Sequence, residues 1–235
     1  MTSSRLPGKV LLPALGRPML AHLVRRLRTT PSVDDVVLAT TVNADDDVLV
    51  EFAKRENLRY FRGSEDDVMQ RVIDAAHSAD AELVVEITGD CPIIDPQIVE
   101  QVIRTFHANP GVAYASNAHV RSYPDGMDAQ VFRLDTLKAS AEMTQEALDH
   151  EHVTLHIRNH PEIFPHVHVV APPEIHWPEL GLTLDEPRDY ELLTRIIDHF
   201  GDANYLFGCV DAVRLLRANP EWVAINQAVT RKGDT

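Results

Sequence analysis

Glu82-Leu-Val-Val-Glu-Ile-Thr-Gly-Asp-Cys-Pro-Ile-Ile-Asp-Pro96 decides how this chain is read. Its first seven residues form a short apolar run rich in β-branched side chains, long enough for a buried strand and too short for a helix. Pro96 suits the first turn of a helix running to about His107, and Asp95 stands in its capping position. A strand, a Gly-Asp turn and a helix make one βα step. Residues at such a turn lie at the carboxyl end of a strand, where open α/β sheets bind their ligands.

The same step recurs on either side. A helix is expected over Pro18 to Leu27, a strand over Val33 to Thr40, a helix over Asn43 to Lys54 capped by Asn43, a strand over Leu58 to Phe61 and a helix over Glu65 to Ser78. This alternation predicts α/β architecture with a mixed, mainly parallel sheet between helical layers. Beyond residue 112 the pattern loosens. Strands are expected at Val112 to Ser116, Ala129 to Phe132, Val167 to Val170 and Leu182 to Leu184. Helices are expected at Asp135 to Ala147, His150 to Asn159, Pro187 to His199 and Asp211 to Ala218. With no repeat and no linker, the 235 residues read as a single domain, in which residues ~117–165 are an irregular dimer or acceptor element.

Apolar residues make up 44% of the chain and charged residues 25%, an ordinary globular balance. The formal charge of −14 argues against a nucleic-acid binder, which needs clustered cations, but leaves room for a nucleotide ligand. No apolar run is long enough to span a membrane, and two cysteines, Cys91 and Cys209, fit no disulfide framework. A cytoplasmic protein is expected.

Three segments carry chemistry. Ser3-Ser-Arg-Leu-Pro-Gly-Lys9 places hydroxyls, a glycine and two cations together, which suits a triphosphate or, more simply, a polar terminus. Asp90 follows the strand quoted above and is placed to hold a hard cation. Asp185, in Leu182-Thr-Leu-Asp-Glu-Pro187, ends another apolar run and reads equally as a helix cap or as a metal ligand. Asp45, Asp46 and Asp47 read as helix-dipole stabilisers, His150, His152 and His156 as a surface or interface cluster, and Cys91 has no base that would make it a nucleophile.

Taken in order, these segments resemble the cytidylyltransferase family, which includes the CMP-sialic acid and CMP-Kdo synthetases, and most closely its spore-coat polysaccharide type. Gly63-Ser-Glu-Asp-Asp-Val68, Tyr123-Pro-Asp-Gly-Met-Asp128, His150-Glu-His-Val153 and Ile157-Arg158 join the resemblance. It implies a three-layer fold related to nucleotide-diphospho-sugar transferases, a homodimer, and Mg²⁺-dependent transfer of CMP from CTP to a sugar acid or related small acceptor. It implies that Ser3, Ser4, Arg5, Gly8 and Lys9 hold the phosphates, that Ser64 and Asp67 lie near the cytidine, and that Asp90 and Asp185 bind Mg²⁺. It places Arg5, Lys9 and Asp90 in catalysis, and Tyr123, Asp125, Gly126, Asp128 and Arg158 at the acceptor.

Two positions depart from the family pattern. Glu86 and Gly181 stand where relatives commonly carry arginine, leaving Arg121, Arg158 and Arg188 as substitutes. A glycosyltransferase, a nucleotidyltransferase for another base and a non-catalytic nucleotide-binding dimer are the competing readings. Relatives also carry an apolar strand before the serines, so Met1 is expected to be internal to a longer chain, with Val10 to Leu12 or a neighbouring subunit filling the gap otherwise.

Overall fold

The computed structural model describes residues 5–230. Lys9–Leu11 forms a single 3-10 turn, not a strand. It is followed by a small hairpin of β1 (Pro13–Ala14) and β2 (Arg17–Pro18), then α1 (Met19–Leu27). β3 (Val37–Thr41), α2 (Asp47–Arg55), β4 (Arg59–Gly63), α3 (Val68–Ser78), β5 (Leu83–Glu86) and α4 (Pro96–Ala108) follow in the expected alternation. The less regular part comprises β6 (Tyr114–Ser116), β7 (Gln130–Arg133), α5 (Leu134–Met143), α6 (Ala147–Glu151), α7 (Leu155–Asn159) and β8 (His166–His168). The chain closes with α8 (Pro187–Phe200), α9 (Cys209–Ala218) and α10 (Pro220–Asn226). No helix among the described residues is long and apolar enough to cross a membrane.

β3 pairs in parallel with β4, and a four-stranded sheet runs in the order β5-β7-β6-β8. In that sheet β7 runs against both neighbours while β6 and β8 are parallel, so β5, β6 and β8 all end at the same edge. Alternation along the strands separates two apolar layers. Val85, Val131 and Ala115 face the core built with α1, α4, α8 and α9. Val84, Phe132 and Tyr114 face a second cluster supplied by α3, α5 and α7, including Met69, Ile73, Leu137 and Ile157. Helices on both sheet faces give the three-layer arrangement.

Several local expectations are corrected. Leu182 to Leu184 is not a strand: it makes single backbone bonds, Leu182 N–H to Asp125 O at 2.7 Å and Leu184 N–H to Asp90 O at 2.8 Å. The helix expected over His150 to Asn159 is two short helices, broken where Val153 takes φ 49°. Asn43 makes no capping bond with its side chain. Asp46 instead accepts from Thr40 Oγ1, Thr41 Oγ1 and Thr41 N, tying the end of β3 to the following turn.

Candidate active site

The backbone bond from Leu184 to Asp90 joins two loops that are far apart in the chain and sets Asp185 beside the carboxyl end of β5. Asp185 is not the helix cap. The buried Asp189 accepts from the N–H groups of Asp185 and Glu186 at 3.1 and 2.9 Å and also from Asn226 Nδ2 at 2.8 Å. That leaves the Asp185 carboxylate to face outward from the turn. Asp95, by contrast, is the cap the sequence suggests, accepting from Gln97 N at 2.8 Å and from Cys209 N at 2.7 Å.

Gly8 supplies the turn that brings the cations in. Its φ of 68° and ψ of 14° are left-handed, a conformation glycine adopts without steric cost, and the 3-10 turn starts from it. Lys9 Nζ then lies 2.8 Å from Asp90 Oδ2 and 2.9 Å from Asp185 Oδ1. Arg5 reaches Asp185 at 3.0 Å and Glu186 at 3.4 Å. Ser3 and Ser4 lie outside the described residues. Burial pulls the Lys9 ammonium down, but Asp90 and then Asp185 outweigh it, so its pKa ends above the ordinary value. Burial likewise works against the Asp90 carboxylate, yet Lys9 and Thr88 hold it below its ordinary value. Lys9 and Asp90 are therefore both charged at neutral pH.

The Asp125 segment lies alongside residues 180–182. Gly126 has φ 100°, and a Cβ there would come within 2.7 Å of the Leu182 carbonyl, so glycine is required for this close approach. Thr183 Oγ1 donates to Asp125 Oδ2 at 3.4 Å, and Gly126 N–H donates to Asp128 Oδ2 at 3.2 Å. Burial, then the neighbouring Asp125, pushes Asp128 up to about 7. Tyr123 is corrected: it is a core side chain, and its hydroxyl reaches Gln101 on α4 rather than the loops around Asp90.

Ser64 and Asp67 form their own cluster at the start of α3. Ser64 Oγ accepts from Asp67 N–H at 3.0 Å, and the Asp67 carboxylate accepts from Gln70 N–H and from His150 Nδ1 at 2.9 Å. The histidines expected to share one surface do not. His150 meets Asp67, whereas the buried His156 lies 3.0 Å from Ser140 Oγ. Cys91 is buried, and burial with Asp90 and Asp128 nearby raises its thiol pKa well above the ordinary value, consistent with no nucleophilic role.

Sequence reasoning gave Glu86 no site role. It ends β5, and burial lifts its carboxyl to about 7 against the opposing pull of Arg158 and Gln130. Glu186, the second partner of Arg5, and the positioning residue Asp189 were also not singled out. Their only signal is the acid pair at the N-cap to N3 spacing of α8.

Among the described residues no three His, Cys, Asp or Glu side chains are placed together for a metal. Asp90 and Asp185 nevertheless converge on one cation, the Lys9 ammonium. Two hard carboxylate oxygens with phosphate as a further ligand are a donor set that suits Mg²⁺.

Known proteins resemble this chain over most of its length. Residues 1–197 match the family model described as cytidylyltransferase. The spore coat polysaccharide biosynthesis protein SpsF of Bacillus subtilis is 31% identical over 94% of this chain and 92% of its own length. A 3-deoxy-manno-octulosonate cytidylyltransferase from Escherichia coli is 27% identical, over 62% of this chain and 56% of its own. A solved cytidylyltransferase from Leptospira borgpetersenii superposes with a TM-score of 0.90 at 31% identity, over 98% of this chain and 94% of its own. With the motifs, the fold and the paired carboxylates all pointing the same way, this chain belongs to the cytidylyltransferase family.

Proposed function

We propose that the chain transfers CMP from CTP to a small sugar acid or related acceptor and releases pyrophosphate. The observation that carries this reading is the convergence of Lys9, Asp90 and Asp185 at the carboxyl end of β5, with Arg5 against Asp185. In the reaction the acceptor oxygen forms a bond to the α-phosphorus of CTP. The bond from that phosphorus to the pyrophosphate oxygen breaks, and the acceptor hydroxyl loses its proton. Such transfer needs little covalent help from protein; positioning and charge stabilisation supply most of the acceleration.

Each residue has a role that follows from its place. Gly8 and the turn it starts bring the phosphates close to backbone N–H groups, and Lys9 and Arg5 offset the charge that grows on the leaving pyrophosphate. Ser64 and Asp67 hold the cytidine side, with His150 keeping the Asp67 carboxylate in place. Asp125, Gly126, Asp128 and Arg158 stand on the acceptor side. Asp90 and Asp185 would hold Mg²⁺, which supplies Lewis-acid stabilisation of phosphate oxygens when bound.

Pyrophosphate release from each of the four nucleoside triphosphates, across a panel of sugar acids including 3-deoxy-octulosonate, tests this. Turnover with CTP well above the other three is expected. Equal rates with all four, or no acceptor dependence, would contradict it.

A further inference from the structure

The register of the four-stranded sheet sets one residue from each strand in a row on the same face: Glu86, Gln130, Ser116 and His168. Glu86, Ser116 and His168 are the last residues of β5, β6 and β8. The row therefore lies along the edge from which the Asp90 loop departs. Gln130 links its near half, donating through Nε2 to Glu86 and accepting from Tyr114 Oη at 2.5 Å and Thr154 Oγ1 at 2.6 Å.

The far end has a different character. His168 lies beside His166, with ring centroids 5.6 Å apart, and His119 lies tilted against His168 at 5.1 Å and edge-on to His166 at 6.2 Å. His166 Nε2 donates to Ile157 O at 3.0 Å. His168 Nδ1 is buried with no hydrogen-bond partner, and so is Arg158 Nε on α7. Arg158 acts electrostatically on Glu86, Tyr114 and His119, so it bridges the two ends of the row. Glu86 is the carboxylate in this group, and it sits at the near end.

We infer that His119, His166, His168 and Arg158 form a subsite for an oxyanion, a phosphate or carboxylate, borne by the acceptor at a distance from the hydroxyl that receives CMP. At about 4.8 Å per strand, His168 is on the order of 14 Å across the sheet from Glu86. An acid group adjacent to the reacting hydroxyl cannot span that distance. The site thus selects acceptors with a second, remote anion. Burial, followed by Arg158 and His166, lowers the pKa of His119, and burial, followed by His119 and His166, lowers that of His168. An anion among them reverses that repulsion and satisfies the two buried nitrogens.

The inference rests on the cytidylyl-transfer reading of the adjacent centre, and two measurements separate them. In the first, ring resonances of the full chain are followed by NMR during titration with inorganic phosphate and, separately, acetate at pH 7. His119, His166 and His168 are assigned by single replacement with Gln. Saturable shifts of these three, weakened at least fivefold in Arg158→Gln, are expected, and the tighter anion identifies phosphate or carboxylate. No shift, the same shift across all histidines, or capture of Zn²⁺ by the trio without any response to either anion overturns the proposal. In the second, 3-deoxy-octulosonate is compared as an acceptor with its form bearing at the terminus whichever anion, phosphate or carboxylate, binds more tightly by NMR. A kcat/KM ratio favouring the form with the terminal anion, reduced about tenfold in His168→Gln or Arg158→Gln through KM, is expected. A ratio near one in the unaltered protein overturns the proposal if CTP turnover is present. Absence of CTP turnover with every acceptor instead removes the cytidylyl-transfer reading and leaves the NMR result to decide the anion site.

Discussion

Lys9 Nζ lies 2.8 Å from Asp90 Oδ2, across a separation of 81 residues, and the same nitrogen lies 2.9 Å from Asp185 Oδ1. One ammonium therefore fixes the distance between two carboxylates that the backbone bond from Leu184 to Asp90 has already brought together. The arrangement concentrates charge at the carboxyl end of β5, where the proposed reaction places the CTP phosphates. Its consequences can be measured.

Lys9→Met removes the cation and leaves Asp90 facing Asp185. Pyrophosphate release from CTP should fall by about 100-fold or more, the usual effect of losing one charge-stabilising group. The Asp90 carboxyl loses the partner that holds its pKa down, so its ionisation should move to higher pH. Carbon-13 NMR of labelled Asp carboxyls checks the second effect independently of activity.

Glu86 predicts a pH dependence of stability. Its folded pKa is raised from 4.5 to about 7, so the folded state binds the proton more tightly than the unfolded one. Stability then declines as pH rises through that interval, and Asp128, also raised to about 7, adds in the same direction. Glu86→Gln keeps an oxygen for Gln130 to donate to and removes the ionisation. The variant should match the parent near pH 4.5 and exceed it by about 1–3 kcal/mol at pH 8 in urea unfolding.

Gly126→Ala places a methyl group against the Leu182 carbonyl at a positive φ of 100°. The cost should be about 2–4 kcal/mol, from strain plus the displaced Asp125–Leu182 pairing. Because residues 182–184 lead directly to Asp185, activity should fall by more than the loss of folded protein accounts for. Comparing specific activity with the folded fraction by circular dichroism checks this.

Arg26 is buried and donates to the carbonyls of Ile94, Tyr205 and Phe207, joining α1 to the loops before α4 and α9. Arg26→Met fills similar space but leaves three acceptors unpaired. A destabilisation of about 3 kcal/mol is expected by chemical denaturation.

The strand-helix alternation from residue 33 to 108 was legible because apolar periodicity changes sharply at each turn. Asp95 was legible as a cap because Pro96 follows it. Residues 182–184 misled because Leu182 and Leu184 are buried like strand residues, yet their backbone bonds go to Asp125 and Asp90. The break at Val153 has no local signal, since a β-branched residue at positive φ is imposed by its surroundings. Asp185 was ambiguous until Asp189 was seen to take the two N–H groups. The place of His168 was hidden because His166-Val-His168 shows a strand face, but register alone sets His168 beside Ser116.

The most direct measurement of the central claim is single-turnover CMP transfer from CTP by the Asp90→Asn and Asp185→Asn variants across a Mg²⁺ titration. The account predicts that each variant loses about 100-fold or more in rate at saturating CTP and shifts the Mg²⁺ midpoint upward. Rates within twofold of the parent, with an unchanged Mg²⁺ midpoint, would contradict it.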